Sequence, residues 1–233
     1  MNEILLIASL IIIFGAVLVA YRFFGKSGLY AMSAVATVLA NIEVLILVDA
    51  FGMEQTLGNI MFASTYLITD ILGENEGKKS ASRAVRIGIF TTVIMLACTQ
   101  LWLLFTPSVN DWAMPSIRSI FSSTPRLILA SFVGYVVSQH FDVWLYHKWW
   151  DFSTKKFGDS KRFLWLRNNG STLVSQIVNT VIFTTVAFAG MYDMSTFISI
   201  MLSSYVIYVF TSLLDTPVVY IARRLKNNGR IPD

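Results

Sequence analysis

The sequence predicts an all-α polytopic membrane protein of about seven transmembrane helices, with its N-terminus outside and its C-terminus inside. Three observations carry that prediction. The 233 residues are 55% hydrophobic and only 14% charged, where soluble domains carry about a quarter charged residues. Seven apolar runs, most near the ~20 residues that a membrane span needs, use up nearly the whole chain and leave no room for a soluble catalytic domain. The basic residues fall in alternate links between those runs, as the positive-inside rule requires.

Taken in order, the spans are expected near 4–21, 29–49, 57–72, 87–106, 126–147, 171–190 and 196–221. The first follows "MNE" without a basic n-region or a small-x-small cleavage site, so it reads as a retained helix rather than a signal peptide. The third is short for a span. Arg22 and Lys26 follow span one. Lys78, Lys79, Arg83 and Arg86 follow span three, and Lys148, Lys155, Lys156, Lys161, Arg162 and Arg167 follow span five. Arg223, Arg224, Lys226 and Arg230 close the chain, and only Arg118 and Arg126 fall on the other side. The net charge of +4 is therefore a topology signal, explained by cytoplasmic retention beside anionic lipid, and implies no nucleic-acid partner. The six tryptophans, Trp102, Trp112, Trp144, Trp149, Trp150 and Trp165, fall near span ends or in loops, as interfacial anchors do; Trp144 lies deep enough to serve as a ligand contact as well. Cys98 is the only cysteine, which excludes an intrachain disulfide and a cysteine-rich metal site.

Spans five and six carry a repeated polar pattern, "SQHFDV" at 138–143 and "SQIVNT" at 175–180. Counted from the inner ends of two antiparallel helices, both triplets come out roughly 8–14 Å inside the cytoplasmic boundary. Gln139 and Asp142 share one helix face, and Ser175, Asn179 and the neighbouring Gln176 another. A charged Asp at such depth costs on the order of 3 kcal/mol unless it faces the bundle interior or water, so the two faces are expected to line one pocket. Asn41 and Glu43 in span two, and Thr69 and Asp70 in span three, are placed in the same zone. For Asp70, Glu74 and Asp215 a structural role competes on equal terms: Asp70 and Glu74 through Lys78 or Arg83, Asp215 through Arg167 or Arg223. Glu43 and Asp142 have no basic residue within a turn of their own helix, which favours function. His140 is as readily a hydrogen-bonded surface histidine as a proton relay.

The candidate substrate-binding set is thus Asn41, Glu43, Thr69, Asp70, Gln139, Asp142, Trp144, Ser175, Gln176 and Asn179. These side chains supply paired donors and acceptors but no nucleophile and no metal-ligand cluster. They suit a flat polar solute, with a carboxylate accepting two N–H bonds from an amidine-like edge while amides bind a carbonyl. No H-E-x-x-H, G-x-S-x-G or G-x-x-x-x-G-K-[ST] motif occurs, so neither an enzyme nor a cofactor is expected.

The stretches "STYLITDILGENEGKKSA" (64–81), "SQHFDVWLY" (138–146), "RNNGSTLVSQIVNTVIFTTVAF" (167–188) and "LLDTPVVYIARRL" (213–225) resemble the queuosine precursor transporter family, also called vitamin-uptake-transporter-like. The likeness runs from about Asn41 to Leu225. It implies a multi-pass bacterial inner-membrane importer of 7-deazaguanine bases (7-cyano-7-deazaguanine, its aminomethyl form, or queuine) used to make queuosine in tRNA. It also implies a six-helix core similar to the S components of ECF transporters. Residues 29–225 would form that core, 1–28 an additional N-terminal helix with its basic loop, and 226–233 a cytoplasmic tail. The family pattern maps onto Asn41, Thr69, Asp70, Glu74, Gln139, Asp142, Ser171, Thr172 and Gln176. It departs at Asn179, where members often have Asp, and at Tyr208, where they often have Lys. The implied partners are the base and the bilayer; a homodimer and a separate ATP-driven module both stay open.

Overall fold

The computed structural model describes residues 1–122, 125–158 and 163–232. Lys161 and Arg162, counted above among the basic residues, lie outside the described residues. The helices are α1 (Asn2–Glu43), α2 (Gly58–Glu76), α3 (Lys78–Trp102), α4 (Met114–Ser122), α5 (Pro125–Phe157), α6 (Leu164–Phe188) and α7 (Met194–Asn227). Five of them, α1, α3, α5, α6 and α7, are long and apolar enough to cross a membrane.

α1 is two helical arms, 2–24 and 26–43, broken at Gly25, whose φ of 57° and ψ of −144° lie outside the helical region. A residue with a side chain rarely adopts that conformation. The arms fold back on each other, because Asn2 donates to the Asp49 carbonyl at 2.9 Å across 47 residues of chain. Gly28 makes the turn tight: a Cβ there would lie 2.3 Å from the Ala20 carbonyl oxygen. Gly28→Ala is therefore expected to cost about 1–3 kcal/mol and to lower the thermal midpoint of purified protein by several degrees. Gly15→Ala, with nothing within 4 Å of the new Cβ, should leave it unchanged.

Span two was expected to run to residue 49, but its helix ends at Glu43. Leu47–Ala50 (β1) and Met53–Thr56 (β2) then pair as an antiparallel hairpin. The two-residue turn, Phe51 (φ 55°) and Gly52 (φ 71°), has the double positive φ that matches strand twist. Elsewhere helices outrun the expected spans: α3 starts nine residues before the expected 87, and α5 runs ten beyond the expected 147.

The polarity of the molecule is inverted. Ile4, Ile11, Phe23, Phe90, Leu202 and Phe210 are among many large apolar side chains on the outside, while Asn41, Thr69, Asp70, Gln139, Asp142, Ser175 and Asp215 are buried. That is the distribution expected where the surrounding solvent is hydrocarbon. α2 shows why the third run looked short and polar. Its residues 58–73 are buried without interruption, so it is wrapped by other helices and need not be apolar.

The helix ends gather at two poles. At one lie the α1 bend and the chain's end, where the Arg22 guanidinium donates to the Arg230 carbonyl. Tyr21 and Lys226 both reach Glu76, at 2.9 Å each. At the other lie residues 2–3, the hairpin, and the α5 start, where Arg126 donates to the carbonyls of Val186 and Ala189 at 2.6 Å.

Candidate functional site

The repeated polar pattern proves to be a reciprocal exchange between α5 and α6. Ser138, first in one pattern, donates to Asn179, last in the other, at 3.5 Å; Ser175 donates to Asp142 at 3.0 Å. Antiparallel helices produce this when the midpoints of the two patterns sit level, so the serine of each copy meets the acid or amide of the other. The glutamines leave the seam. Gln139 turns to α2, donating to Thr65 at 2.7 Å and accepting from Thr69 at 3.4 Å, and Gln176 accepts from Asn179 at 3.5 Å. Tyr66 of α2 joins the same layer by donating to Ser138 at 2.7 Å.

α6 is the spine of the site. Asn168, Thr172, Ser175 and Asn179 are spaced i, i+4, i+7 and i+11, the stripe that keeps one helix face turned to its neighbours. Each of the first three meets a carboxylate from a different helix. Asn168 donates to Asp215 of α7 at 2.7 Å, Thr172 to Asp70 of α2 at 3.1 Å, and Ser175 to Asp142 of α5. All three carboxylates are essentially inaccessible, and each takes its donor from an uncharged side chain. One oxygen of Asp142 and the side-chain oxygen of Asn168 are buried without any partner.

One helical turn nearer the basic pole the chemistry changes. Arg167, fully buried, donates to both oxygens of Glu74 at 2.8 and 2.7 Å. Tyr146 donates to the same carboxylate at 2.7 Å, Arg223 approaches it to 3.5 Å, and the Arg167 guanidinium lies 4.2 Å from the Trp150 ring centroid. Both bonds come from the single nitrogen Nη2, while Nε and Nη1 are buried without a hydrogen-bond partner, so the guanidinium bridges the carboxylate from one nitrogen while its plane stacks on the indole. Glu74 thus has the structural role weighed for it, through Arg167 and Arg223 rather than Lys78 or Arg83, and Asp215 is held by Asn168 rather than by an arginine.

Of the ten candidate residues, the structure brings seven together: Thr69, Asp70, Gln139, Asp142, Ser175, Gln176 and Asn179. Asn41 is buried but donates within its own helix, to the Thr37 carbonyl at 2.8 Å. Glu43, the last residue of α1, is half-buried at the hairpin pole. Trp144 is 45% exposed, stacked on Phe141 and lying under Lys148. His140 is exposed and bonds the Val136 carbonyl of its own helix. The sequence reading passed over Tyr66, Tyr146 and Asn168, and took Arg167 as a topology charge and a possible partner of Asp215, never as a partner of Glu74. The signal was its place at the head of an unbroken polar run, Arg167 to Thr172 interrupted only by Gly170, where a loop arginine has no reason to sit.

At the hairpin-ward end, Asn179 and Tyr208 border a small space of about 10 Å³ with Ser131, Asn59 and Phe62, room for roughly one water. Most groups of the polar core are bonded to each other.

A family model described as "Putative vitamin uptake transporter" matches residues 56–222. A protein of Bacillus subtilis (strain 168) named "Probable queuosine precursor transporter" is 38% identical over 218 residues, 94% of this chain and 93% of that protein. No solved structure matches the chain at a significant level.

Proposed function

The chain belongs to the vitamin uptake transporter family, and on that premise we propose that it imports queuosine precursors across a bacterial inner membrane, taking a 7-deazaguanine base into the polar core between α2, α5, α6 and α7. The near-full-length likeness to the Bacillus subtilis protein carries this reading. The chemistry of the core agrees with it. A deazaguanine presents N1–H and a 2-amino group on one edge, and the unpartnered oxygen of Asp142 is an acceptor in need of such donors. Gln139, Gln176 and Asn179 offer amide groups for the base carbonyl, and nothing in the core requires a catalytic role.

The topology follows from the same elements. The two arms of α1 together with α2, α3, α5, α6 and α7 make seven crossings. The basic residues at one pole favour, by the positive-inside rule, a cytoplasmic C-terminus and an N-terminus outside. α2 crosses as a central helix shielded from lipid by the others. The arm 2–24 adds a crossing to a six-helix core, and the base binds about midway along the helices.

Adenine is the discriminating control, because it lacks both donors of the guanine edge and would leave buried acceptors unpaired. In a thermal-shift measurement on purified protein, queuine at 100 times its Kd should stabilise the folded state by about 2.7 kcal/mol, a shift of several degrees. Adenine should shift it by less than a degree. Equal shifts would remove the guanine-edge argument.

A further inference from the structure

The charge balance of the polar core is incomplete, and we propose that the substrate itself completes it: the site prefers a base carrying a cationic arm, such as a 7-deazaguanine with a protonated aminomethyl group, over the neutral 7-cyano base. The inference rests on the functional reading above and sharpens it.

Three carboxylates from three helices, Asp70, Asp142 and Asp215, converge on one face of α6. Their donors on that face, Thr172, Ser175 and Asn168, are all uncharged. The buried cation nearest along α6, Arg167, pairs through Nη2 with Glu74 and with none of the three, and among the described residues none of the three carboxylates forms an ion pair. Buried acidic groups without a positive partner are costly, so the arrangement favours whatever brings positive charge into the core.

Two further observations select an extended organic cation over a point charge. Among the described residues no three carboxylate, histidine or cysteine side chains converge closely enough to hold one metal ion. The unpartnered buried oxygens also sit apart, Asp142 level with Ser175 and the other on Asn168. Those levels are seven residues apart on α6, roughly 10 Å at 1.5 Å per residue. A purine-sized ring with a one-carbon arm reaches along such a line, its amidine edge meeting one acceptor and its ammonium the other. An alkyl ammonium of the lysine type is charged at neutral pH, with three N–H donors and no acceptor. A nitrile only accepts, and would set an acceptor against acceptors.

The test compares the two bases on purified full-length protein at neutral pH in sodium-free buffer, by calorimetry. The aminomethyl base is expected to bind at least about tenfold more tightly than the cyano base. Asp215→Asn and Asp70→Asn, which keep shape and acceptor but remove charge, should narrow that preference to about threefold or less while still binding the cyano base, which also reports that the variants are folded. Equal affinities in the unmodified protein, or a preference unchanged in both variants, would overturn the inference. So would a cyano base that matches the aminomethyl base at the same neutral pH once sodium is added, because the balancing charge would then be inorganic. Binding of neither base would overturn the functional reading itself.

Discussion

Replacing Arg167 with methionine is expected to cost about 3–5 kcal/mol of stability, the toll of leaving a buried charge uncompensated. Arg167 and Glu74 have side chains 0% and 3% exposed, and the arginine covers both carboxylate oxygens. Tyr146 and Arg223 then hold Glu74 alone, and α2, α5, α6 and α7 lose the group that ties them at one pole. The measurement is the thermal midpoint and the yield of folded protein in mild detergent. Arg167→Met together with Glu74→Gln should recover much of the loss, because the double variant removes both charges. Arg167→Lys should be destabilised less than Arg167→Met, since one ammonium can bridge the carboxylate oxygens as Nη2 does but cannot stack a planar charge on Trp150. A single variant as stable as the parent would mean that the clamp contributes nothing to folding.

The second large effect is functional. Asp142→Asn should weaken base binding roughly 10–100-fold, the worth of one hydrogen bond to a charged group, with little change in thermal midpoint. Asparagine keeps an acceptor for Ser175, so the α5–α6 seam survives while the second acceptor is lost. Asp151→Asn, on an exposed part of α5, is the control and should bind as the parent does. Asp159, the control that the sequence alone would nominate, lies outside the described residues. If the Asp142 and Asp151 variants behave alike, Asp142 is not at the ligand.

Much of the molecule was legible in its sequence because the bilayer imposes simple rules. Apolar length marks the helices on the outside of the bundle, and these are the five that composition alone identifies. It fails for α2, whose neighbours rather than lipid surround it, so that Ser64, Thr65, Thr69 and Asp70 carry no penalty for being polar. It also fails at 47–56, where apolar residues continue past Glu43 but pair as strands around a turn written in only two residues, Phe51 and Gly52. Within the site, the repeated Ser-Gln pattern revealed the α5–α6 register because matched spacing on antiparallel helices survives errors in helix boundaries. The partners of each group were not legible. Asp215 could have met an arginine and meets Asn168; Glu74 could have met a lysine and meets Arg167. Sequence gives the depth of a side chain along its own helix, but which helices adjoin is settled only by packing. Asn41, Glu43 and Trp144 illustrate the same limit, each at a plausible position along its helix yet outside the network that the other seven candidates join.

The central claim is that this single chain binds a deazaguanine and carries it across a membrane, and reconstitution tests it most directly. Purified protein in liposomes, given radiolabelled aminomethyl-deazaguanine outside and no ATP, should show saturable uptake above empty liposomes. Excess unlabelled queuine should compete with that uptake and adenine should not, and Asp142→Asn should abolish most of it. Tight binding without any uptake would contradict the claim and point to a binding subunit that delivers its ligand only with a separate ATP-driven module.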